Sequence, residues 1–317
     1  MAQKLFYKKG GSEMRTKTKV WLMIAASLVL IGGILFVGVM TTLEWDFTRL
    51  ATVTYEINTY EIKEAFDDIS INTDTADIAF VLSDDGGCRV ECHEEANIKH
   101  SVIVKDGALT VEMMDERSVH GFIGYIGLNF DTPKITVYLP QTEYTTLLIH
   151  GDTCDVEIPN DFMFQDVDIF LSTGDVDFYA SASEMITIRT STGDIRVANI
   201  SAGSLDLTVS TGNTLISDLQ CENLISKGNT GDISLNNVVA SKTFFIERST
   251  GDVKFDGSDA AEIFVKTDTG DITGSLLTDK IFVTQTDTGD IDIPETANGG
   301  RCELVTDTGD IRIEIKT

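Results

Sequence analysis

The sequence predicts an all-β protein with one N-terminal transmembrane helix, a β-rich cap region and a parallel β-solenoid of about nine rungs, each 19–20 residues long. Three observations carry this prediction. The tripeptide Thr-Gly-Asp recurs at steps of 19 or 20 residues through the second half of the chain. Apolar and polar residues alternate on both sides of each copy, as they do in strands with one buried face. One uncharged apolar run lies near the N-terminus.

The apolar run covers residues 20–43 and is long enough to cross a bilayer as a helix. Residues 1–19 precede it and contain six basic residues against one acidic residue, Glu13. The positive-inside rule therefore predicts that residues 1–19 lie in the cytoplasm and that everything from about Glu44 lies outside the cell. A cleaved secretory signal peptide is the alternative. The run is long for that role, and no Ala-x-Ala cleavage site follows it.

Residues 44–65 are predicted to be a linker, and residues 66–150 to form the cap region. Alternating segments such as Ile69–Ile71 and Ile135–Val137 are separated in several places by turn sequences that contain Gly or Asn. A solenoid needs a cap because its end strands otherwise expose unpaired backbone groups. One isolated copy of the repeat motif, Asp74-Thr-Ala-Asp-Ile78, already occurs in this region.

Residues 151–317 are predicted to form the solenoid itself. Each unit has two short strands around its corner, so it cannot bury its apolar face alone and must stack on its neighbours. At roughly 4.8 Å per rung, the stack is on the order of 40 Å long. The corner positions are Cys154, Gly174, Gly193, Gly212, Gly231, Gly251, Gly270, Gly289 and Gly309.

Two details of the units lead to further expectations. Ala76 and Cys154 stand in the place of the Gly. Close packing of neighbouring corners, rather than a left-handed backbone, is therefore the expected reason for a small residue there. The last segment carries Arg312, Glu314 and Lys316, whose charges are expected to protect the far edge of the stack.

The Asp residues that follow the Gly suggest a candidate metal site. Stacking aligns their carboxylates in a column about 5 Å apart, and a second acidic column joins it in the last three units. Paired rows of oxygen ligands suit Ca²⁺. The predicted site comprises Asp268, Asp271, Asp287, Asp290, Asp307 and Asp310. The alternative, which the one or two ligands per rung favour, is that each Asp only caps its corner. No other cofactor is expected.

The five cysteines are expected to be buried free thiols. An odd, scattered set does not form a disulfide framework. Two of them occupy repeat positions that small or apolar residues otherwise hold. The five are Cys88, Cys92, Cys154, Cys221 and Cys302.

The segment 120–130 is apolar, aromatic and rich in Gly, unlike the polar sequence around it. If it is exposed, it is a binding patch or a membrane contact. The alternative, which we favour from the sequence, is a strand pair that covers the core of the cap region.

Charge and motifs exclude several functions. The net charge is −27, which argues against binding nucleic acid and against direct adsorption to anionic lipid. The four His residues share no motif, and the Ser-Thr-Gly repeats lack a nucleophile elbow or a recurring His partner. The short, even rungs leave no room for the cleft of a glycan-cleaving β-helix enzyme. No catalytic residue is predicted.

The chain resembles a family of bacterial surface proteins of unknown function that are predicted to be adhesins. The resemblance covers residues 55–317 behind the N-terminal anchor. It rests on the starting segment Phe66–Ile71, the copy Asp74–Ile78, the stretch Val137–Pro140 and serial units such as Ser191–Ile195. It implies a non-enzymatic surface protein and supplies no catalytic residues.

The predicted function is that of an adhesin or surface scaffold, anchored in the cell membrane by residues 20–43, with a protein or glycan surface ligand. The alternative is a regulatory component of an envelope-stress signalling system that acts through a membrane partner, because proteins similar to some family members are linked to such systems. A carbohydrate-active enzyme is a third class. Exchange of the anchor separates the first two, and a turnover assay tests the third.

Overall fold

The computed structural model of the protein describes residues 16–45, 54–96, 98–115 and 132–316, so the segment 120–130 lies outside the described residues. The described chain falls into two units, an N-terminal helix and a β domain that starts at Thr54. Helix α1 spans Thr16–Thr42. Its segment Lys19–Thr42 has a mean hydropathy of 2.6. This length and composition fit a single membrane span, as the sequence predicted.

The described part of the β domain contains 21 strands joined in one hydrogen-bonded sheet. In chain order they are β1 Tyr55–Ile62, β2 Asp68–Thr73, β3 Asp77–Leu82, β4 Cys88–Glu95, β5 Ile98–Lys105, β6 Ala108–Asp115, β7 Lys134–Leu139, β8 Glu143–Thr153, β9 Val156–Ile158, β10 Met163–Thr173, β11 Val176–Phe178, β12 Ser181–Thr192, β13 Ile195–Thr211, β14 Thr214–Thr230, β15 Ile233–Thr250, β16 Val253–Thr269, β17 Ile272–Leu276, β18 Lys280–Thr288, β19 Ile291–Asp292, β20 Gly300–Thr308 and β21 Ile311–Ile315.

The strands stack in two columns that meet at the Thr-Gly-Asp corners. Strands that precede a corner, such as β8, β10 and β12, pair in parallel in one column. Strands that follow a corner, such as β9 and β11, pair in parallel in the other. Strands β13 to β16 are long enough to contribute to both columns. Equivalent positions of successive units therefore lie above one another, which confirms the predicted parallel β-solenoid, with about 8 turns.

Inward side chains form one continuous hydrophobic core along the stack. Each buried side chain of this size contributes about 1.5–3 kcal/mol, so the repeated apolar positions are what hold neighbouring rungs together. One buried column, in register throughout, consists of Leu147, Val167, Ile186, Leu205, Leu224, Phe244 and Ile263.

All five cysteines are buried and free, as expected from the sequence. Burial raises the pKa of each thiol to about 12, which keeps it protonated at neutral pH.

The corner glycines are needed for both conformation and packing. Gly212, for example, has a φ of +146°, and an added Cβ would lie within 3.0 Å of the carbonyl oxygen of Gly193 in the preceding rung. Ala76 and Cys154 are not among the residues with positive φ. The expectation that packing alone explains the Gly is therefore wrong, because corners without Gly use a different backbone conformation.

A second corner, which the sequence analysis missed, follows the first by six residues. The residues there have φ between 51° and 59°, the left-handed region that Asn, Asp and Gly tolerate best. Asn237 also donates a side-chain hydrogen bond to Asp218 in the rung before it, at 2.7 Å. The residues of this corner are Asn199, Asp218, Asn237 and Gly257.

The far end of the stack departs from the sequence order. The last segment, β20 and β21, does not end the stack, because it pairs with β16 and β17 on one side and with β18 and β19 on the other. The rung formed by β18 and β19 is therefore outermost. The expectation that Arg312 protects the far edge is wrong, since β19 covers it. Strand β19 pairs with β21 only at Ile311 and Arg312, so Glu314 and Lys316 lie beyond the covered stretch, and their protective role stays a prediction.

The other end is interleaved in the same way. Strands β2 and β3 lie between β6 and β7 on one side and β8 and β9 on the other. Strand β4 then adds antiparallel to β7, and β5 adds antiparallel to β6. The parallel stack thus begins upstream of residue 151, and antiparallel strands cover its first rungs, as expected of a cap.

Candidate binding surface

The Asp column of the corners is a hydrogen-bonded ladder. Each side-chain Oδ1 accepts a hydrogen bond from the backbone N–H of the equivalent residue in the next rung, at 2.6–3.0 Å. Asn213 takes part through its amide oxygen, which explains why Asn can replace Asp there. The ladder, in spatial order, consists of Asp77, Asp155, Asp175, Asp194, Asn213, Asp232, Asp252, Asp271, Asp310 and Asp290.

The six Asp residues of the predicted Ca²⁺ site all lie at the far end of this ladder. Asp271 Oδ1 and Asp310 Oδ1 each accept a ladder hydrogen bond. Asp310 Oδ2 is also 2.5 Å from the Arg312 guanidinium, and Asp268 lies 3.7 Å from Lys266 Nζ. The six do not bring three carboxylate oxygens within 4.8 Å of one another. Ca²⁺ binding by these residues stays a prediction.

The strands before the corners carry exposed apolar side chains on their outward face, among charged and polar ones. Apolar residues recur on it from β8 to β18, and each is at least 38% exposed. Isolated exposed apolar residues are normal, whereas a contiguous exposed apolar patch is a candidate binding surface. We call it the apolar face. Its exposed members are Leu148, Phe170, Met185, Phe245, Ile281 and Val283.

The centre of the apolar face is a row of three in-register side chains, Ile225, Phe245 and Phe264, which we call the aromatic strip. Phe245 is 40% exposed. Lys227 Nζ lies 5.5 Å from the ring centroid of Phe245, and Arg301 Cζ lies 5.8 Å from that of Phe264. Both cations lie over the rings within cation–π range, so each aromatic ring of the strip has a positively charged neighbour.

Polar side chains run parallel to the aromatic strip, two residues earlier on each strand. Asn223 Nδ2 donates to Ser204 Oγ at 3.3 Å, and Thr243 Oγ1 donates to Asn223 Oδ1 at 2.9 Å. Together with the strip they line a shallow groove of about 370 Å³. Asp206 lines the groove as well, so it combines flat apolar surfaces with hydroxyl and amide groups and one carboxylate.

A larger groove, of about 680 Å³, lies near the outermost rung and is a weaker candidate. Two of its charged residues satisfy each other, since the buried Lys280 Nζ is 2.5 Å from Asp259 Oδ1 and 2.7 Å from Thr278 Oγ1. Thr278 in turn donates to Asp259. A third charged residue, Asp279, also lines this groove and is exposed.

A buried polar cluster lies in the cap region. His100 Nδ1 is 2.7 Å from Glu94 Oε2, and His100 Nε2 is 3.1 Å from Thr73 Oγ1. The order of hydroxyl, imidazole and carboxylate is that of a nucleophilic triad. However, Thr73 is only 2% exposed, so no substrate can reach its hydroxyl. The cluster does not support hydrolysis, and its parts share no sequence motif that would have revealed it.

Comparison with known proteins identifies the family. The sequence pattern of the Toastrack DUF4097 family matches residues 66–237 and 217–317. The chain belongs to this family. No curated protein matches the chain. The Toastrack match begins at the predicted start of the cap region and runs to the end of the solenoid, so both parts belong to one family fold.

Three solved structures are similar to the chain over most of its length. A "putative adhesin" from Bacteroides fragilis is 17% identical, with 82% of this chain and 97% of that chain covered and a TM-score of 0.48. A "putative lipid binding protein" from Parabacteroides distasonis is 15% identical, with coverages of 82% and 97% and a TM-score of 0.45. A "putative adhesin" from the same species is 13% identical, with coverages of 83% and 98% and a TM-score of 0.37.

The sequence analysis missed the aromatic strip of this Toastrack domain, although the signal was present. The strip lies six residues before the corner Gly. Four consecutive units hold Ile225, Phe245, Phe264 and Val283 at this position, whereas the first unit holds Leu148 and the others hold Asp, Thr or Glu. Four apolar residues at one outward position are visible once the strands are assigned to faces.

Proposed function

We propose that this protein is a single-pass membrane protein whose extracellular Toastrack domain binds a surface glycan through the aromatic strip. The proposal places residues 1–19 in the cytoplasm and the β domain outside, in line with the positive-inside rule. Its action is non-enzymatic: it holds a ligand close to the membrane as an adhesin or scaffold does.

The exposed aromatic strip is the observation that carries the proposal. Sugar rings have flat faces lined with C–H groups, which stack on aromatic rings, and hydroxyl groups, which need polar partners. The strip supplies Phe245 and Phe264 for the first, and the Ser204–Asn223–Thr243 row supplies the second. Because these groups repeat along the stack at about 4.8 Å intervals, the surface suits an extended polymer better than a small molecule.

Charge supports a glycan over other polymers. The net charge of −27 disfavours nucleic acid and strongly anionic polymers. The positive charges of Lys227 and Arg301 beside the strip reduce the negative electrostatic potential there. Neutral or weakly charged glycans are therefore the best match.

Cosedimentation of the detergent-solubilised full-length protein with insoluble cell-wall glycan tests the proposal. We expect the wild type to sediment and the double variant Phe245→Ser/Phe264→Ser to lose at least about 90% of its binding, since loss of two central anchors costs more than 1.4 kcal/mol. Val239→Ser is the matched control. Val239 is on the same strand and 37% exposed, but it lies outside the apolar face.

Two outcomes would contradict the proposal. If the double variant binds as well as wild type, the aromatic strip is not the binding site. If the wild type does not sediment with glycan at all, the ligand is of another class, and binding to a protein ligand becomes the alternative to test with the same variants.

A further inference from the structure

A second site is independent of the proposed surface. Cys92, Glu94 and His100 each offer a ligand atom, and these atoms lie within 4.8 Å of one another. A metal site needs several His, Cys, Asp or Glu side chains at such a spacing, and among the described residues this group of three meets that condition. The three are 0%, 1% and 3% exposed. We propose that they bind a zinc ion in the cap region.

The ligand types select the metal. A thiolate and an imidazole favour Zn²⁺ over Ca²⁺ or Mg²⁺, which prefer sets of oxygen ligands. With the thiolate and one carboxylate, a divalent ion gives a cluster without net charge, which suits a buried position. Coordination transfers the thiol proton of Cys92 to solvent and replaces the contact between His100 Nδ1 and Glu94 Oε2 with bonds to the ion.

The surrounding residues already orient the ligands. Asn58 Nδ2 donates to Glu94 Oε1 at 2.7 Å, and Thr73 Oγ1 lies 3.1 Å from His100 Nε2. Metal-binding imidazoles and carboxylates in proteins usually have such partners on their remaining atoms. Here those partners come from β1 and from the end of β2, so they fix the ligands from two sides.

The position of the cluster explains what an ion would do. Cys92 and Glu94 project from β4, and His100 projects from β5. These two strands cover different columns of the stack, because β4 pairs with β7 and β5 pairs with β6. One ion bound to both would tie the two columns together at the capped end, as structural zinc ions do in small domains.

Cobalt substitution of the detergent-solubilised full-length protein tests the proposal, because Co²⁺ occupies zinc sites and a bound thiolate gives it a sulfur-to-metal charge-transfer absorption. We expect one Co²⁺ per chain with that absorption, and its displacement by Zn²⁺. Cys92→Ser should abolish the absorption. Cys221→Ser is the matched control, since Cys221 is also buried but lies outside the cluster, and this variant should keep it.

Two results would overturn the proposal: a wild type that binds no Co²⁺ with thiolate character, or an absorption that survives Cys92→Ser. Circular dichroism shows whether the variant folds. If it does not, X-ray absorption of the zinc-loaded wild type decides the question alone. One sulfur neighbour at about 2.3 Å supports the site, and a shell of nitrogen and oxygen atoms only overturns it.

Discussion

At the scale of single residues, the Thr-Gly-Asp corner combines two devices that act on different atoms. The Gly permits a backbone conformation and a close approach of neighbouring rungs, whereas the Asp links its rung to the next through an accepted hydrogen bond. Because both features repeat in most rungs, with Ala76 and Cys154 replacing the Gly in two of them, small energies add along the stack.

The corner Gly should tolerate no side chain. Gly212→Ala should reduce the free energy of unfolding by about 3 kcal/mol, since it adds backbone strain and a collision with the carbonyl of Gly193. Gly86→Ala separates the two causes, because Gly86 also has a positive φ but no atom lies within 4 Å of the added Cβ. Chemical denaturation should show a loss of only about 1 kcal/mol for the control. Equal losses would mean that packing at the corner contributes nothing.

The ladder needs an acceptor rather than a charge. Asp194→Asn should leave stability unchanged or raise it by up to about 1 kcal/mol, because the amide oxygen still accepts the Asn213 N–H and one source of like-charge repulsion disappears. Asp194→Ala removes the acceptor and should cost about 0.5–1.5 kcal/mol. Denaturant titrations in low and high salt distinguish the two effects. The charge matters more than the acceptor if Asn and Ala prove equally destabilising.

Arg248 is a charged side chain that is buried in the solenoid core. It is 2% exposed and its Nη2 donates to the hydroxyls of Thr214 and Ser226, so among the described residues no carboxylate compensates it. Burial lowers its pKa to about 10. Above about pH 10, and up to the higher pH at which an unfolded Arg loses its proton, the unfolded chain holds a proton that the folded chain has lost. The stability contribution of Arg248 is therefore unfavourable below this window and improves as the pH rises through it.

We therefore expect Arg248→Met to raise the free energy of unfolding at pH 7 by about 1 kcal/mol, since Met fills similar space without a charge and the two hydroxyls can turn to nearby carbonyls. Thermal and denaturant unfolding measure this change. Arg196→Met is the control: Arg196 is exposed and paired with Asp177, so its loss should cost less than about 1 kcal/mol. A destabilised Arg248→Met would show that the hydroxyl contacts outweigh the burial of the charge.

At the scale of elements, helix α1 has the length and composition of an anchor, and the binding surface lies on the solenoid strands. Replacement of residues 20–43 by an unrelated apolar helix should therefore leave glycan binding within about twofold of wild type. Cosedimentation and surface labelling of cells measure binding and topology. If the replacement abolishes function in cells while glycan binding survives, lateral contact with a membrane partner is indicated, which favours the envelope-stress alternative.

The elements also show what a sequence can and cannot predict. The period of the solenoid and its inward faces were predictable, because each rung repeats the same apolar positions, as in Ile195 and Val253. The order of the last two rungs was not, because β18 and β20 have similar patterns and either fits beside β16. The cluster of Thr73, Glu94 and His100 was not predictable either, since it depends on pairing between distant strands.

At the scale of the whole molecule, Ca²⁺ bound at the predicted site would stabilise the complete stack against unfolding. If Ca²⁺ binds the six Asp residues at the far end, millimolar Ca²⁺ should raise the melting temperature relative to EDTA, by an amount that grows with the ratio of ion concentration to Kd. Mg²⁺ is the control ion, and Asp287→Asn/Asp307→Asn should remove the effect. The same melting temperature in Ca²⁺, Mg²⁺ and EDTA would leave the Asp columns as corner structure alone.

The inserted position of β20 and β21 matters when the chain is made. The ribosome synthesises β18 and β19 before their partner strands β20 and β21, because the partner strands come from residues 300–315. A solenoid whose rungs follow the sequence order can add each rung as it emerges. Here β18 and β19 cannot pair until residues 300–315 have been synthesised. A nascent chain that stops before residue 300 would leave β18 and β19 without partner strands. It would also expose the edge of β16 that otherwise pairs with β20. Residues 300–315 therefore complete the pairing of the segment that precedes them in the chain.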